Sequence, residues 1–572
     1  MSFMENKIFT QQIKQYAALL ELKGENPFKL RAYHFAIEAI DRLEVNLMDL
    51  PLSVIEKIGS IGKAIALKIE ETKEKGIFHQ LKNLLEEIPA GVVEMLGING
   101  LGAKKINILW KENKFTTITQ LLEACENNTL AQIKGFGEKM QANIYQDLLF
   151  KQANSAKLFF SKATIYQQMI VDYLSQIIDN ELIITTGQFR RKLEIIDCLQ
   201  IFVAIDDNKT KKNQLVQHLD ECNFLIKNKQ GTGMFVWRGE LKENALKVEI
   251  KMPQKNRIGS EIYLHSAGEK HLTKIEKNKT ILQHLTEQNF NKESDVFDYF
   301  KYPIIPVEAR EGYAEWKWIE DKKVPNLLIT NELKGIFHAH STYSDGKNTL
   351  EEMVLACINL GYDYLGITDH SQSAFYANGL QPSRIKIQHQ EIESLRKKYP
   401  NFYIFKGIEA DILNDGQLDY EDDVLKTFDF VIASIHSNLK MSEEKATERI
   451  IKAIENPHTT MLGHSTGRVL LRRNGYPLDM KKVIEACAKN NVIIEINASP
   501  YRLDLDWRWV HEALEKGVLL SINPDSHETG TLSEVKYGVN IGRKGGLTAE
   551  KTFNTKTTEE IITYFANKKR KL

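Results

Sequence analysis

Apolar positions along this 572-residue chain change their spacing twice, and each change predicts a different architecture. Up to about residue 152 they recur at helical spacing. In "NPFKLRAYHFAIEAI" (26–40), after Pro27, the residues Phe28, Ala32, Phe35, Ala36 and Ala39 fall on one face, which is expected to be core. Lys29 and Arg31 are then expected on a solvated face, with contact to DNA as the alternative. From about 155 to 315 strand-like runs ("LQIFVAI", "GMFVWRG", "LKVEIKM") alternate with helical ones, the pattern of an α+β domain. "DKKVPN" (321–326) is a charged, proline-containing linker candidate. Beyond 334, short apolar runs of strand length alternate with helical segments to the end. The expected segments are 1–80, 81–152, 153–315, a linker over 316–333, and 334–572.

Three stretches of the helical front share a local pattern: "VIEKIGSIGKAIALKI" from 54, "VVEMLGINGLGAKKINIL" from 92 and "LAQIKGFGEKMQANIY" from 130. Each reads as an apolar turn, a tight glycine hairpin, and a helix with a lysine in its first turn. Glycine permits positive φ and close backbone approach. The free N–H groups of the next helix then point outward, where a phosphate can sit. A single copy is better read as a helix-ending glycine and a turn; the repetition favours a binding element. The pattern resembles the helix-hairpin-helix motif, which holds a DNA backbone without reading sequence. Candidate contacts are Gly62 and Lys63, then Gly100, Gly102 and Lys104, then Gly135, Gly137 and Lys139. Positive-φ turns are expected at Gly102 and Gly137; in the first copy Ser60 replaces the leading glycine.

Composition narrows the picture. Lysine plus arginine and aspartate plus glutamate both number 76, so no global basic field supports nucleic-acid binding. The five cysteines (125, 198, 222, 357, 487) are dispersed, as expected of reduced thiols in a cytoplasm. No apolar run approaches the ~18–20 residues that span a bilayer, and a signal peptide's apolar stretch is missing. A soluble cytoplasmic monomer is expected.

The chemistry concentrates at the ends of the late strand-like runs. "KGIFHAH" ends in His338 and His340, "YLGITDH" in Asp369 and His370, and "FYIFKGIEAD" carries Glu409. "DFVIASIHS" ends in His436, "TTMLGHS" in His464, "NVIIEINAS" in Asn497, and "LLSINPDSH" in Asp525 and His527. Functional groups at the C-terminal ends of successive strands are how a (β/α) barrel builds a site. His338 and His340, two apart, share a strand face, and Asp345 follows on the next loop. One such histidine is better read as a packed or surface residue. The group is not, because burying so many unpaired polar side chains costs too much. Imidazole with carboxylate is a transition-metal ligand set, so a polynuclear centre is expected.

HAHSTYSDG, GITDHS, Glu409, SIHS, GHSTGR and NPDSH together resemble the polymerase-and-histidinol-phosphatase (PHP) family of metal-dependent phosphoesterases. The resemblance implies a distorted seven-stranded barrel with up to three ions. Its ligands would be His338, His340, Asp345, His370, Glu409, His436, His464, Asp525 and His527, with Glu409 bridging two ions. Manganese is expected, with zinc or iron as alternatives. Catalysis would rest on His338, His340, Glu409, Asp525 and His527. Arg468 is a candidate for charge near the phosphate, although a salt bridge explains it equally well. Adding the hairpins, "GQFRRKLE" and "IPVEAREG" (305–312), the whole chain resembles a bacterial family X DNA polymerase with a C-terminal PHP domain. That implies a helical hairpin region, an α+β nucleotidyltransferase-like palm and thumb, and a distorted (β/α)7 barrel.

The palm departs from that family. Its pattern runs Gly-Ser, two arginines, Glu, then Asp-x-Asp. Aligned from Gly187, this chain has Gln188, keeps Arg190, Arg191 and Glu194, and puts Cys198 and Gln200 at the aspartates. A shift of one residue recovers Asp197 but pairs it with Leu199. The third acid, expected on a later strand, is Glu249. Arg190 and Arg191 remain nucleotide-binding candidates, while "YLHSAGEKHL" (263–272) departs from the family's nucleotide-pocket pattern. Two-metal transfer needs carboxylates that hold both ions. Glutamine is neutral and thiol is a soft ligand, so Mg²⁺ is not expected in the palm. The expectation is a DNA-repair nuclease, a 3′→5′ exonuclease and 3′-end phosphodiesterase, with its polymerase lost. It would bind gapped or 3′-ended DNA through phosphates and use an ion-activated water. The alternatives are an active gap-filling polymerase with a PHP nuclease, and a phosphatase for a small ester.

Overall fold

The structure, a computed structural model, describes residues 2–41, 43, 46–205, 209–233 and 235–569. They fall into two compact units, residues 1–154 and 155–572.

The first unit is helical. Its hairpins each bury the residue between the two turn positions, Ile61, Leu101 and Phe136, and this pins the turn while its backbone faces outward. Ser60, Gly100 and Gly135 take positive φ (68°, 89° and 96°), so the serine adopts the conformation of the glycines it replaces. Gly137 is also left-handed at 58°. Gly102 is not: with φ −83° it caps the helix Ala103–Asn107, as Gly62 caps Lys63–Lys75. The left-handed turn expected at Gly102 lies two residues earlier, at Gly100, because the chain must reverse before the helix starts. A Cβ at Gly62, Gly100, Gly102, Gly135 or Gly137 would meet nothing within 4 Å, and Lys63, Lys104 and Lys139 are exposed.

The helix Pro27–Asp41 corrects a second expectation. Its buried stripe is Tyr33, Ala36, Ile37 and Ile40, whereas Phe28 and Phe35 are 74% and 57% exposed. Two apolar stripes compete on this helix. The one that wins sets the Tyr33 ring edge-on against Tyr16, 5.4 Å away.

The second unit begins with a five-stranded sheet of β1 (Ile183–Thr186), β2 (Cys198–Val203), β3 (Leu225–Lys227), β4 (Val236–Leu241) and β5 (Lys247–Lys251). Their order is β1-β2-β5-β4-β3, with β2 and β5 parallel and the other neighbours antiparallel. Met234, in the run that predicted β4, lies outside the described residues. Around the linker candidate 321–326, whose residues are exposed or half-buried, Trp318 on the helix Glu315–Glu320 and Leu327 and Leu328 are buried.

Seven parallel strands follow: β6 (Gly335–Ala339), β7 (Tyr364–Ile367), β8 (Tyr403–Asp411), β9 (Phe430–Ser434), β10 (Met461–Leu462), β11 (Ile493–Asn497) and β12 (Leu520–Asn523). They pair in chain order. The last returns to the first through an Ala339–Ser526 bridge and a His340 N–H to Ser526 carbonyl bond of 2.8 Å. This is a nearly closed barrel. Its strands are almost wholly buried, hence their unbroken apolar runs. Phe337, Tyr364, Phe405, Phe430, Phe553 and Phe565 form one buried aromatic cluster within it.

Palm and barrel belong to one unit and are tied by polar contacts. Glu194 accepts the Trp507 indole N–H at 3.0 Å and Arg508 at 3.2 Å. Glu311 pairs with Arg191 at 2.7 Å and with buried Lys544 at 3.2 Å. No helix among the described residues is long and apolar enough to cross a membrane.

Candidate metal centre

The strand ends bring all nine predicted positions to one mouth. They form four overlapping groups: His340, Asp345, His370 and His527; His338, His464 and Asp525; His338, His340 and Glu409; and His370, Glu409 and His436. Glu409 lies at the centre and is 1% exposed. Its Oε1 is 3.2 Å from His338 Nε2, 3.1 Å from His436 Nε2 and 2.9 Å from His464 Nε2. Its Oε2 is 2.9 Å from His370 Nδ1 and 3.7 Å from His340 Nε2. Asp525 Oδ1 lies 3.2 Å from His340 Nε2 and 3.5 Å from His338 Nε2. Asp345 Oδ1 faces His527 and His370 at 3.4 and 3.6 Å.

Both Glu409 oxygens, His338 Nε2, both His340 nitrogens, His370 Nδ1 and His464 Nδ1 are buried without a hydrogen-bond partner. So many orphaned lone pairs are costly in a folded protein. Divalent ions would satisfy them, and the donor set suits such ions. The backbone is strained at two of the candidate ligands, His338 (φ 61°) and Asp525 (φ 54°), as at many functional sites. A register shift between Ile336 and Ala339 accompanies the first.

Electrostatics fit the same reading. Burial opposes the charge on Glu409, but His436, His338 and His370 hold its carboxyl well below the usual range. Burial likewise disfavours protonated His436, yet Glu409 and Asp411 push it up to about 10. His527 is pushed up to about 9 against burial by Asp345 and Asp525. His340 goes the other way, to about 3, through burial and the neighbouring His527 and His370.

Of the supporting residues, Asp369 and Asn497 stand out as strand-end polar groups in the sequence, while Glu495 and Asp411 carry no such signal. Glu495 Oε2 shares a 2.5 Å hydrogen bond with His338 Nδ1, and Asp411 Oδ1 a 2.5 Å bond with His436 Nδ1. Such carboxylates fix imidazole tautomer and aim, leaving each Nε2 directed at Glu409. Asn497 donates to Asp525 Oδ2 at 3.0 Å. Asp369, fully buried, collects Ser341 and Ser344 and so holds the loop after β6.

Arg468 is placed elsewhere. Its guanidinium donates to Asp506 and to the carbonyls of Arg502 (2.8 Å) and Leu503, so it braces a loop and does not face the cluster. The arginine at the cluster is Arg502, whose Nε lies 3.4 Å from Asp525 Oδ2.

In the palm, Gln200 on β2 stands opposite Glu249 on β5. Its amide donates to Glu249 Oε2 at 2.8 Å, and Arg238 Nε donates to Oε1 at 2.5 Å. A Cβ on Gly187 would strike Gln200 Oε1 at 2.4 Å, so the glycine admits the glutamine. The Cys198 thiol is pushed up to about 12 by burial and by Glu249 and Asp197. Gln188 accepts from the Asp197 N–H at 2.9 Å. Arg190 makes a two-point pair with Glu293 (2.8 and 2.7 Å), and Arg191 pairs with Glu311.

A barrel of this topology with this ligand cluster defines a PHP-domain protein, and comparison agrees. The sequence matches the helix-hairpin-helix domain over residues 4–78, the SAM-like helix-hairpin-helix tandem over 92–148 and the PHP domain over 337–499. It is 33% identical over 570 residues to the DNA polymerase/3'-5' exonuclease PolX of Bacillus subtilis (strain 168), covering 98% of this chain and 99% of that protein. Probable phosphatases resemble only part of the chain. One from Thermoanaerobacter sp. (strain X514) is 29% identical over 237 residues, 38% of this chain and 94% of its own length. One from Clostridium botulinum (strain Hall) is 26% identical over 249 residues, 40% and 93%. The chain belongs to the PolX family, bacterial family X DNA polymerases with a C-terminal PHP domain.

Proposed function

We propose that this chain is a DNA-processing nuclease, a 3′→5′ exonuclease and 3′-end phosphodiesterase whose reaction takes place in the barrel, and that its palm has lost nucleotidyl transfer. The observation that carries the nuclease reading is Glu409, a buried carboxylate whose two oxygens face different sets of imidazoles and can serve two ion positions at once. His338, His436 and His464 gather on one side of it, His340 and His370 on the other. Bound divalent ions supply Lewis-acid charge and lower the pKa of a water. The protein's part is to hold the ligands rigidly: Glu495 and Asp411 fix two imidazoles, and Asn497 orients Asp525. Manganese fits this histidine-rich set better than magnesium, which prefers oxygen ligands.

The loss of polymerisation is supported by what Glu249 already holds. Gln200 and Arg238 occupy both of its oxygens, and Cys198 stays a protonated thiol. Arg190 and Arg191 are paired with glutamates, leaving little free positive charge for a triphosphate. DNA is held by the outward hairpins through phosphates, independently of sequence. The relatives named as probable phosphatases favour a small-ester reading for a barrel alone; the hairpins favour DNA here. Primer extension and primer degradation by one purified sample, with Mg²⁺ and Mn²⁺ compared, test both halves. Degradation with Mn²⁺, silence with chelator and no extension are expected. Extension with Mg²⁺, or a 3′ end that stays intact with Mn²⁺, contradicts the proposal.

A further inference from the structure

The loop 371–380, directly after His370, leaves two aromatic rings in water. Its stem is fixed: Ser371 N–H donates to the Glu409 carbonyl at 3.1 Å and Leu380 N–H to the His370 carbonyl at 2.8 Å. The Ser371 and Ser373 hydroxyls both donate to Asp419 Oδ2, at 2.7 and 2.6 Å. At its tip, on a short turn Phe375–Ala377, the buried Ala374 and Ala377 flank Phe375 and Tyr376. On this anchored turn Phe375 is 84% and Tyr376 71% exposed; no other large apolar side chain among the described residues is as exposed as Phe375.

Their position gives the exposure a meaning. The Tyr376 ring lies 6.2 Å from that of His370, at the mouth of the cluster. Its hydroxyl feels the site: local desolvation and Asp411, Glu409 and Asp345 raise the phenol, while Arg502 opposes them. Arg502 itself reaches Asp525 and keeps part of its side chain open to solvent. The mouth therefore carries an exposed aromatic ring, Tyr376, with Phe375 next to it in the chain, and a guanidinium, the two kinds of group that grip single-stranded nucleic acid.

We infer that Phe375 and Tyr376 form a stacking platform for the base at the 3′ end of a single DNA strand, with Arg502 holding the adjoining phosphate. The inference rests on the nuclease function proposed above and adds to it the residues that would grip the terminal nucleotide. Stacking is sequence-tolerant because every base has a π-face, so the platform suits a nuclease that reads no sequence.

The test uses the full-length protein with Mn²⁺ and two single-stranded oligonucleotides, identical except that the last residue carries adenine or is an abasic tetrahydrofuran. The readout is the ratio of their kcat/KM values. The parent should favour the base by about 5- to 100-fold, chiefly through KM. Phe375→Ala with Tyr376→Ala should bring the ratio close to one, mainly by losing the adenine substrate, and Tyr376→Phe should retain it. Arg502→Ala should lower both substrates alike, since the phosphate is common to both. As a readout independent of turnover, a 3′-terminal 2-aminopurine behind a phosphorothioate link should be quenched on binding the parent and not the double alanine variant. A ratio unchanged in that variant overturns the platform, and so does an equal loss on both substrates, which would make the loop a mere support for the cluster. A parent that cleaves neither oligonucleotide defeats the nuclease reading itself, and the platform with it.

Discussion

The Gln200 side-chain amide donates to the Glu249 carboxylate at 2.8 Å across the parallel pair β2–β5. A neutral amide stands where a second acid would be needed, and the acid that is present is shared with Arg238. We expect dNTP incorporation on a one-nucleotide gap to be absent. The assay should use the His338→Ala, His340→Ala protein, so that degradation cannot mask synthesis. Clear extension with Mg²⁺ would refute the assignment.

Glu409→Gln keeps the size of the side chain but removes the charge that faces five imidazoles. Bound metal, measured by elemental analysis, and the rate of 3′-end degradation should both fall, the rate by at least about 100-fold. His340→Ala and Asp525→Asn should act in the same direction. Cys198→Ala, in the palm, should degrade DNA at nearly the parent rate. Parent-like cleavage by Glu409→Gln would remove the barrel from consideration as the nuclease.

Glu495→Gln and Asp411→Asn leave every candidate ligand in place and loosen the orientation of His338 and His436, along with the bonds Glu495 accepts from Asn497 and Asn523 and Asp411 accepts from Ser373. Metal affinity should drop about 10- to 100-fold, with activity partly restored at high Mn²⁺. Calorimetric titration of metal-free protein would report it; unaltered affinity would mean that packing alone aims these rings.

Protonation and ion binding compete. His436 and His527 are raised from 6.5 to about 10 and about 9, so the stability they contribute without ions is complete below pH 6.5 and fades as pH rises through those values. Ions need neutral imidazoles and displace those protons, so their stabilising effect runs opposite. Melting in chelator and in Mn²⁺ should diverge as pH goes from 6.5 toward about 9. A Mn²⁺-induced shift that is constant or shrinks over that range would contradict the linkage.

In the proposed binding mode the hairpins act through geometry, so the substitutions that matter are at left-handed positions. Gly100→Val and Gly135→Val, at φ 89° and 96°, should weaken DNA binding. Gly102→Val, at an ordinary φ with open space around it, should weaken it less. Affinity measured by anisotropy should be blind to sequence and fall with salt. Equal effects at Gly100 and Gly102 would make the loss one of surface shape rather than turn conformation.

The barrel was legible because its strands are buried on both sides and must be apolar until the mouth, where polar ligands appear abruptly. His338, Glu409 and Asp525 announce themselves by that contrast. Arg468 and Arg502 could not be told apart in this way, since which guanidinium reaches the cluster depends on how residues 499–506 fold back. The helix at 27–41 offers two apolar stripes, and only a neighbour such as Tyr16 chooses between them. Glu194 and Trp507 lie 313 positions apart, and nothing local marks either as the other's partner.

That bond also bears on how the barrel can be studied. Lys544 is wholly buried, its ammonium answered by Glu311 and the Glu308 carbonyl, and the Trp507 indole is answered by Glu194. A fragment cut free at residue 334 would carry the lysine and the indole into water, or into one another's copies, with every one of those partners left behind. The segment that begins as a nucleotide-handling motif is thus a wall of the neighbouring room. Silencing its chemistry changes what the palm can do, but removing it would bring down masonry on the other side.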